Sequence, residues 1–234
     1  MTSARPLHDA LIVFGKVPEP GAVKTRLTEL LTPEEAARLY DAFLRDALDA
    51  YRALPAAVRL YLAPEGPPEP ADLAPAGVTV HAQRGDGLGE RMGAALADTF
   101  LAGAERAVVI GTDHPTLPLA FVERAFEELR QPLACVLGPS TDGGYYLLGL
   151  NELRPQLFQG IAYSRPDVFA RTLERAAEAV RHVAVLPEWY DVDTPDTLRR
   201  LAAELLAPDP DAEGSPARTR AILNKLNRAY GLVR

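Results

Sequence analysis

The stretch Ala10-Leu-Ile-Val-Phe-Gly-Lys-Val-Pro-Glu-Pro-Gly-Ala-Val-Lys-Thr-Arg26 decides the fold. Its first five residues are an unbroken apolar run that ends at Gly15, which reads as a short strand buried on both faces. A loop rich in Pro, Gly and basic residues follows. Thr32-Pro33-Glu34-Glu35 then opens a helix, with Thr as N-cap, Pro at the first helical position and Glu closing a capping box. Ala36, Leu39, Phe43, Ala47 and Leu48 keep helical spacing and give that helix one core face. The same alternation continues outward. Strands are expected at 58–62, 78–81, 107–110, 133–137, 145–150 and 183–186. Helices are expected from the glycines at 85–89 to about residue 101, from Pro118, from Ser164 with Asp167 to about residue 180, and from Thr194-Pro195. Strands alternating with helices predict an α/β fold, a mostly parallel sheet covered on both faces.

Composition bounds what such a chain can do. The 234 residues suit one large α/β domain, and 47% hydrophobic residues supply a sizeable core. A formal charge of −7 argues against a general nucleic-acid binder, while leaving room for a local basic pocket. The single cysteine, Cys135, lies in an apolar run and reads as a buried thiol. His8 and Asp9 interrupt the N-terminal segment, and no stretch approaches the roughly 20 apolar residues of a membrane span, so the expected compartment is the cytoplasm. Residues 1–206 read as one nucleotide-binding domain. Residues 207–216 read as a polar linker, and the tail beyond carries Ile222, Leu223 and Leu226 on one side, suited to cover the core or to close a homodimer.

In open α/β sheets ligands bind outside the carboxyl ends of the strands. Four polar loops fall there. In the first, residues 15–26, Gly15 and Gly21 permit tight turns, and Lys16, Lys24 and Arg26 can meet phosphate oxygens. Its spacings are not those of a P-loop, and the same residues would also suit a solvated turn. The second is Gly111-Thr-Asp-His-Pro115, where Asp113 follows a buried run and is placed to hold Mg²⁺ or Mn²⁺ against a pyrophosphate; His114 beside it reads as an orienting or packing residue. The third is Tyr190-Asp-Val-Asp-Thr-Pro195, in which Asp191 and Asp193 point to one side of an extended segment, so that both can face a metal or one can serve the helix that follows. The fourth is Gly138-Pro-Ser-Thr-Asp-Gly-Gly-Tyr-Tyr146. Asp142 there reads first as a turn residue, with acceptor contact as an added role. Residues 84–91, Arg-Gly-Asp-Gly-Leu-Gly-Glu-Arg, lack the dinucleotide fingerprint and suit a loop over a nucleotide, with Arg84 or Arg91 on phosphate. There is no Gly-x-Ser-x-Gly elbow and no Cys/His zinc cluster.

Five segments, Phe14 to Leu27, Gly85 to Met92, Gly111 to Pro115, Gly138 to Gly149 and Asp191 to Pro195, together resemble the radical-SAM/selenodomain-associated transferase family over about residues 10–205. The first and last are also similar to phospholactate guanylyltransferases. The resemblance implies a GT-A-like, nucleotide-diphospho-sugar transferase fold, a three-layer α/β/α sandwich. It further implies nucleotide binding by the first loop and metal binding by Asp113 with Asp193 or Asp191. The expected nucleotide contacts are Phe14, Gly15, Lys16, Gly21, Lys24, Arg26, Arg84, Gly87 and Arg91, and the expected catalytic residues are Asp142 and Lys24. The expected function is a Mg²⁺- or Mn²⁺-dependent transferase using an activated nucleotide donor and a small-molecule acceptor. Glycosyl transfer from a nucleotide-sugar leads, nucleotidyl transfer from a nucleoside triphosphate is the alternative, and a non-catalytic nucleotide-binding module stands outside both.

Overall fold

In the computed structural model, which describes residues 8–63, 73–207 and 216–233, the first apolar run is β1 (Asp9–Lys16), an interior strand of a seven-stranded sheet. It pairs in parallel with β2 (Ala57–Ala63) on one side and β4 (Arg106–Ile110) on the other. β3 (Thr79–Ala82) extends the sheet beyond β2. β6 (Tyr145–Leu150) is antiparallel to both β4 and β5 (Ala134–Pro139), and β7 (His182–Val185) closes the far edge parallel to β5. The order is β3-β2-β1-β4-β6-β5-β7, with β6 alone reversed. Every strand expected from the apolar runs is present, within about two residues at each end.

Alternation along the strands builds the layers. Leu11 and Val13 of β1 face one side and pack with Leu44 and Leu48 of α1 (Pro33–Tyr51), while Ile12 faces the other with Met92, Ala95 and Leu96 of α2 (Leu88–Leu101). α3 (Leu119–Glu128) joins the first face through Val122 and Phe126, and α4 (Val168–Ala179) joins the second through Ala176. The result is the three-layer α/β/α arrangement. Cys135 is fully buried within the second layer, and burial pushes its thiol up to about 12.

The helix starts follow local chemistry. Thr32 and Glu35 form the expected capping box of α1. Thr194 caps α5 (Pro195–Leu206) with Thr197 as its reciprocal partner. The start of α4 departs from expectation. Ser164 has a left-handed backbone, and Asp167 occupies the N-cap without a side-chain hydrogen bond to the helix backbone; its carboxylate is held instead by the Arg165 and Arg171 side chains. α6 (Ala217–Tyr230) packs on α1 and α5, burying Leu223 and Leu226, so the apolar side of the tail covers this chain's own core. Its first turn is capped from a distance: the Asp46 carboxylate of α1 accepts from the backbone N–H of Thr219 at 2.8 Å and of Arg218 at 3.2 Å. Residues 208–215 of the expected linker lie outside the described residues. No helix among the described residues is long and apolar enough to cross a membrane.

Candidate functional site

Six strands run parallel, so their carboxyl ends share one edge of the sheet, and the polar loops gather there around a cleft of about 450 Å³. That volume suits a small-molecule ligand. Phe14, Gly15, Lys16, Lys24, Arg26, Arg91, Asp113, Asp191 and Asp193 all line it. The structure therefore brings together nine of the site residues expected from sequence.

Their arrangement is more specific than the sequence suggests. Lys24 sits at the start of a 3-10 turn (Thr25–Glu29) with φ 48°, a left-handed conformation that is uncommon for a lysine. This turns its side chain inward. Its Nζ lies 2.5 Å from Asp113 Oδ1 and 2.8 Å from Asp193 Oδ1, joining the first, second and third loops at one point. Burial opposes the charge of this ammonium, but the two carboxylates outweigh it and hold its pKa above the ordinary lysine value. Lys24, a candidate phosphate contact and catalytic residue from sequence, lines the cleft but is only 3% exposed and is engaged by both carboxylates. Each carboxylate keeps its other oxygen outside any hydrogen bond or ion pair among the described residues, and the two side chains are 42% and 39% exposed to the cleft.

Asp191 stands apart from that pair. Its Oδ1 lies 3.3 Å from His114 Nδ1 and its Oδ2 accepts a short hydrogen bond from Ser140 Oγ, so it ties the second, third and fourth loops together. Burial works against its charge, but the bond and charge of His114 and the Ser140 hydroxyl prevail and hold the carboxyl below its ordinary value. His114 is thus an orienting residue, and its Nε2 is buried with no hydrogen-bond partner among the described residues. Two backbone bonds reinforce the junction, Val192 N–H to Asp113 O at 2.8 Å and Thr141 N–H to Trp189 O at 2.9 Å.

The donor chemistry fits a hard divalent cation. Mg²⁺ needs one or two protein carboxylates when substrate phosphates and water complete its shell. Asp113 and Asp193 converge on one cationic centre, both line the cleft, and each keeps one oxygen without a partner among the described residues. Among the described residues no three His, Cys, Asp or Glu side chains form a ligand cluster.

Other expected site residues are placed elsewhere. Asp142 is exposed and outside the cleft lining; its Oδ1 accepts from Gly144 N–H at 2.9 Å, which is the turn role. Gly143 within that turn has φ 88°, and a Cβ there would lie 2.1 Å from Pro166 O. Arg84 does not line the cleft; its guanidinium is held by the Asp98 carboxylate on α2. Gly87 is the N-cap of α2 and Gly21 an exposed turn residue with φ 80°; both shape the rim without lining it.

Several lining residues escaped the sequence reading. The Tyr40 hydroxyl accepts from Lys16 N–H at 2.8 Å and from Thr112 Oγ1 at 3.1 Å, pinning the ends of β1 and β4 to α1. Burial, with the Asp113 charge, pushes it up to about 12, so it stays neutral. Gln83 is buried and its Nε2 donates to Gly15 O at 3.1 Å and Tyr61 O at 2.9 Å. With the amide nitrogen so committed, its carbonyl oxygen is the end left to face a ligand. Leu88, Met92, Tyr145 and Tyr146 complete an apolar wall. Lys16, Arg26 and Arg91 line the cleft without an ion pair among the described residues.

Sheet order, reversed β6 and a cleft at the strand ends define the class: an α/β protein of the nucleotide-diphospho-sugar transferase fold. The chain belongs to the family described as uncharacterized protein conserved in bacteria, DUF2064, whose model matches residues 47–165. A solved protein from Desulfovibrio desulfuricans G20, for which nucleotide-diphospho-sugar transferase activity has been proposed, is 34% identical, with 95% of this chain and 97% of that one aligned at a TM-score of 0.85. Two more distant structures share the fold. Rv0371c from Mycobacterium tuberculosis H37Rv is 19% identical, with 84% and 98% of the two chains covered and a TM-score of 0.51. A CMP:2-keto-3-deoxy-manno-octonic acid synthetase complexed with CTP is 15% identical, with 85% and 98% covered and a TM-score of 0.50. No curated protein sequence matches the chain.

Proposed function

We propose that this protein is a metal-dependent transferase that takes an activated nucleotide donor, with glycosyl transfer from a nucleotide-diphospho-sugar as its reaction. One observation carries the reading: three cations with no ion pair among the described residues, Lys16, Arg26 and Arg91, line the same cleft as two carboxylates that already converge on a cation. A polyphosphate with its metal satisfies both halves. The proposed activity of the Desulfovibrio relative supports the donor class, as do the five sequence segments that resemble radical-SAM/selenodomain-associated transferases.

In this reading Lys16, Arg26 and Arg91 neutralise the donor phosphates and hold them in register. Asp113 and Asp193 hold the divalent ion, which supplies charge stabilisation on the leaving phosphate when bound. The fixed Gln83 carbonyl accepts a hydrogen bond from an N–H edge of the base. Tyr145, Tyr146, Leu88 and Met92 exclude water from the reacting end. The tie of Asp191 to His114 and Ser140 keeps the loops in place.

Three cations also suit a triphosphate, and this favours nucleotidyl transfer as the second reading. The product separates the two. Each common nucleotide-sugar and each nucleoside triphosphate, incubated with Mg²⁺ or Mn²⁺, is followed for release of nucleoside diphosphate or pyrophosphate, alongside thermal stabilisation. A metal-dependent melting shift with one nucleotide-sugar and slow release of nucleoside diphosphate is the expected result; ligand at about 100 times its Kd adds roughly 2.7 kcal/mol. A shift confined to one triphosphate moves the reaction to nucleotidyl transfer. Absence of any shift defeats donor binding.

A further inference from the structure

The Lys24 ammonium occupies the position between Asp113 and Asp193 that a cation would take, within ion-pair distance of one oxygen of each. It is built in rather than placed there by chance. The side chain is buried, it passes within 6.0 Å of the Tyr40 ring and 5.7 Å of the Phe43 ring, and its backbone is held left-handed to aim it inward. Few surface lysines are anchored on three sides. Counted by themselves, the two carboxylates and the ammonium of this cluster leave a single net negative charge.

A divalent ion arriving alone therefore meets, at the carboxylate pair, one net negative charge and an ammonium beside both of its ligands, with three further cations lining the same cleft. One arriving with a polyphosphate brings the missing negative charge and oxygen ligands, and the phosphates find Lys16, Arg26 and Arg91. We propose that Lys24 is a positioning residue, a built-in counter-cation that makes the Asp113–Asp193 pair take a divalent ion together with a polyphosphate and not ahead of it. This rests on the reading of the pair as a metal site. It adds an order of binding and a reason for burying a lysine between two carboxylates. Because binding free energies are reciprocal, the polyphosphate must tighten metal binding by the same factor that the metal tightens polyphosphate binding.

Equilibrium dialysis of Mn²⁺ against the full chain tests this, with Mn²⁺ alone and with Mn²⁺ plus inorganic pyrophosphate, since excess Mn²⁺ on the protein side reports the bound ion. Wild type should hold Mn²⁺ at least about tenfold more tightly with pyrophosphate than alone. Lys24→Met, shown to be folded by circular dichroism and a cooperative melt, should bind Mn²⁺ alone about tenfold more tightly than wild type and lose most of the pyrophosphate effect. Lys24→Arg, which keeps the charge, should behave as wild type. Equal wild-type affinity with and without pyrophosphate overturns the proposal, and so does unchanged or weaker Mn²⁺ affinity in folded Lys24→Met. If Lys24→Met does not fold, the wild-type comparison decides alone. Mn²⁺ bound in no condition overturns the metal site itself, a result distinct from Mn²⁺ binding that ignores Lys24.

Discussion

Two buried junctions in this molecule join distant segments through charge, and they end differently. At Asp46 the carboxylate accepts from the backbone N–H groups of Arg218 and Thr219 and from the Arg218 guanidinium, so both of its oxygens are used. At Lys24 the ammonium joins Asp113 to Asp193, yet an oxygen of each has no partner among the described residues, and the cleft they line carries three cations with no ion pair among those residues. The first is a joint that fastens α6 to α1. The second is an assembled site with capacity left over. A charged network that closes on itself has no acceptor left for a ligand; one that leaves acceptors beside a cleft has room for one.

The sharpest way to break this comparison is to neutralise one member of each junction. Asp193→Asn should weaken metal-dependent nucleotide binding by about 100-fold or more, at the upper end of what disturbed metal partners cost, whereas Asp46→Asn should leave that affinity unchanged. Titration calorimetry reads both, and a comparable loss in each would merge the two classes. Stability should respond in the opposite sense. Asp46→Ala removes charge-assisted bonds to two helix N–H groups and should cost about 2 kcal/mol, a fall of roughly 4–8 °C in melting temperature for a chain of this size.

Asp191 offers a smaller test at acid pH. Its carboxyl is held below the ordinary range, with burial opposed and outweighed by His114 and Ser140. A group depressed in the native state adds stability above its unfolded pKa and loses it as the pH falls through the lowered value. Ser140→Ala removes one of the lowering contacts, so acid unfolding should begin at a higher pH than in wild type. An unmoved acid limb would show that the hydroxyl does not support the charge. Smallest of all is Thr32→Ala, which removes a cap remote from the cleft and should cost about 1 kcal/mol with no effect on nucleotide affinity.

Much of the fold was legible because its signals are local. An unbroken apolar run such as Ala10 to Phe14 cannot be left exposed, and Thr32 with Glu35 or Thr194 with Pro195 marks a helix start within four residues. The gathering of polar loops was legible from a general rule about parallel strands. What escaped depends on partners far away in sequence. Lys24 and Asp193 are separated by 169 residues, so no local pattern says that this lysine turns inward while Lys16 and Arg26 turn outward. Gln83 carries no motif; its importance lies in two carbonyls, on Gly15 and Tyr61, that fix its amide. Asp46 was invisible as a cap because it serves a helix on the other end of the chain. Asp142 shows the converse. Its Asp-Gly-Gly context supported both a turn and a ligand contact, and the hydrogen bond to Gly144 accounts for it through the turn.

The central claim is that the cleft takes a nucleotide and a divalent ion together. Titration calorimetry of wild type with the four nucleoside triphosphates and the common nucleotide-sugars, each with Mn²⁺ and with a chelator, tests it most directly. The account predicts one donor bound at least about tenfold more tightly with the metal, and no such gain in Asp113→Asn. Affinity that is the same with and without metal, or a metal effect that survives in Asp113→Asn, would contradict it.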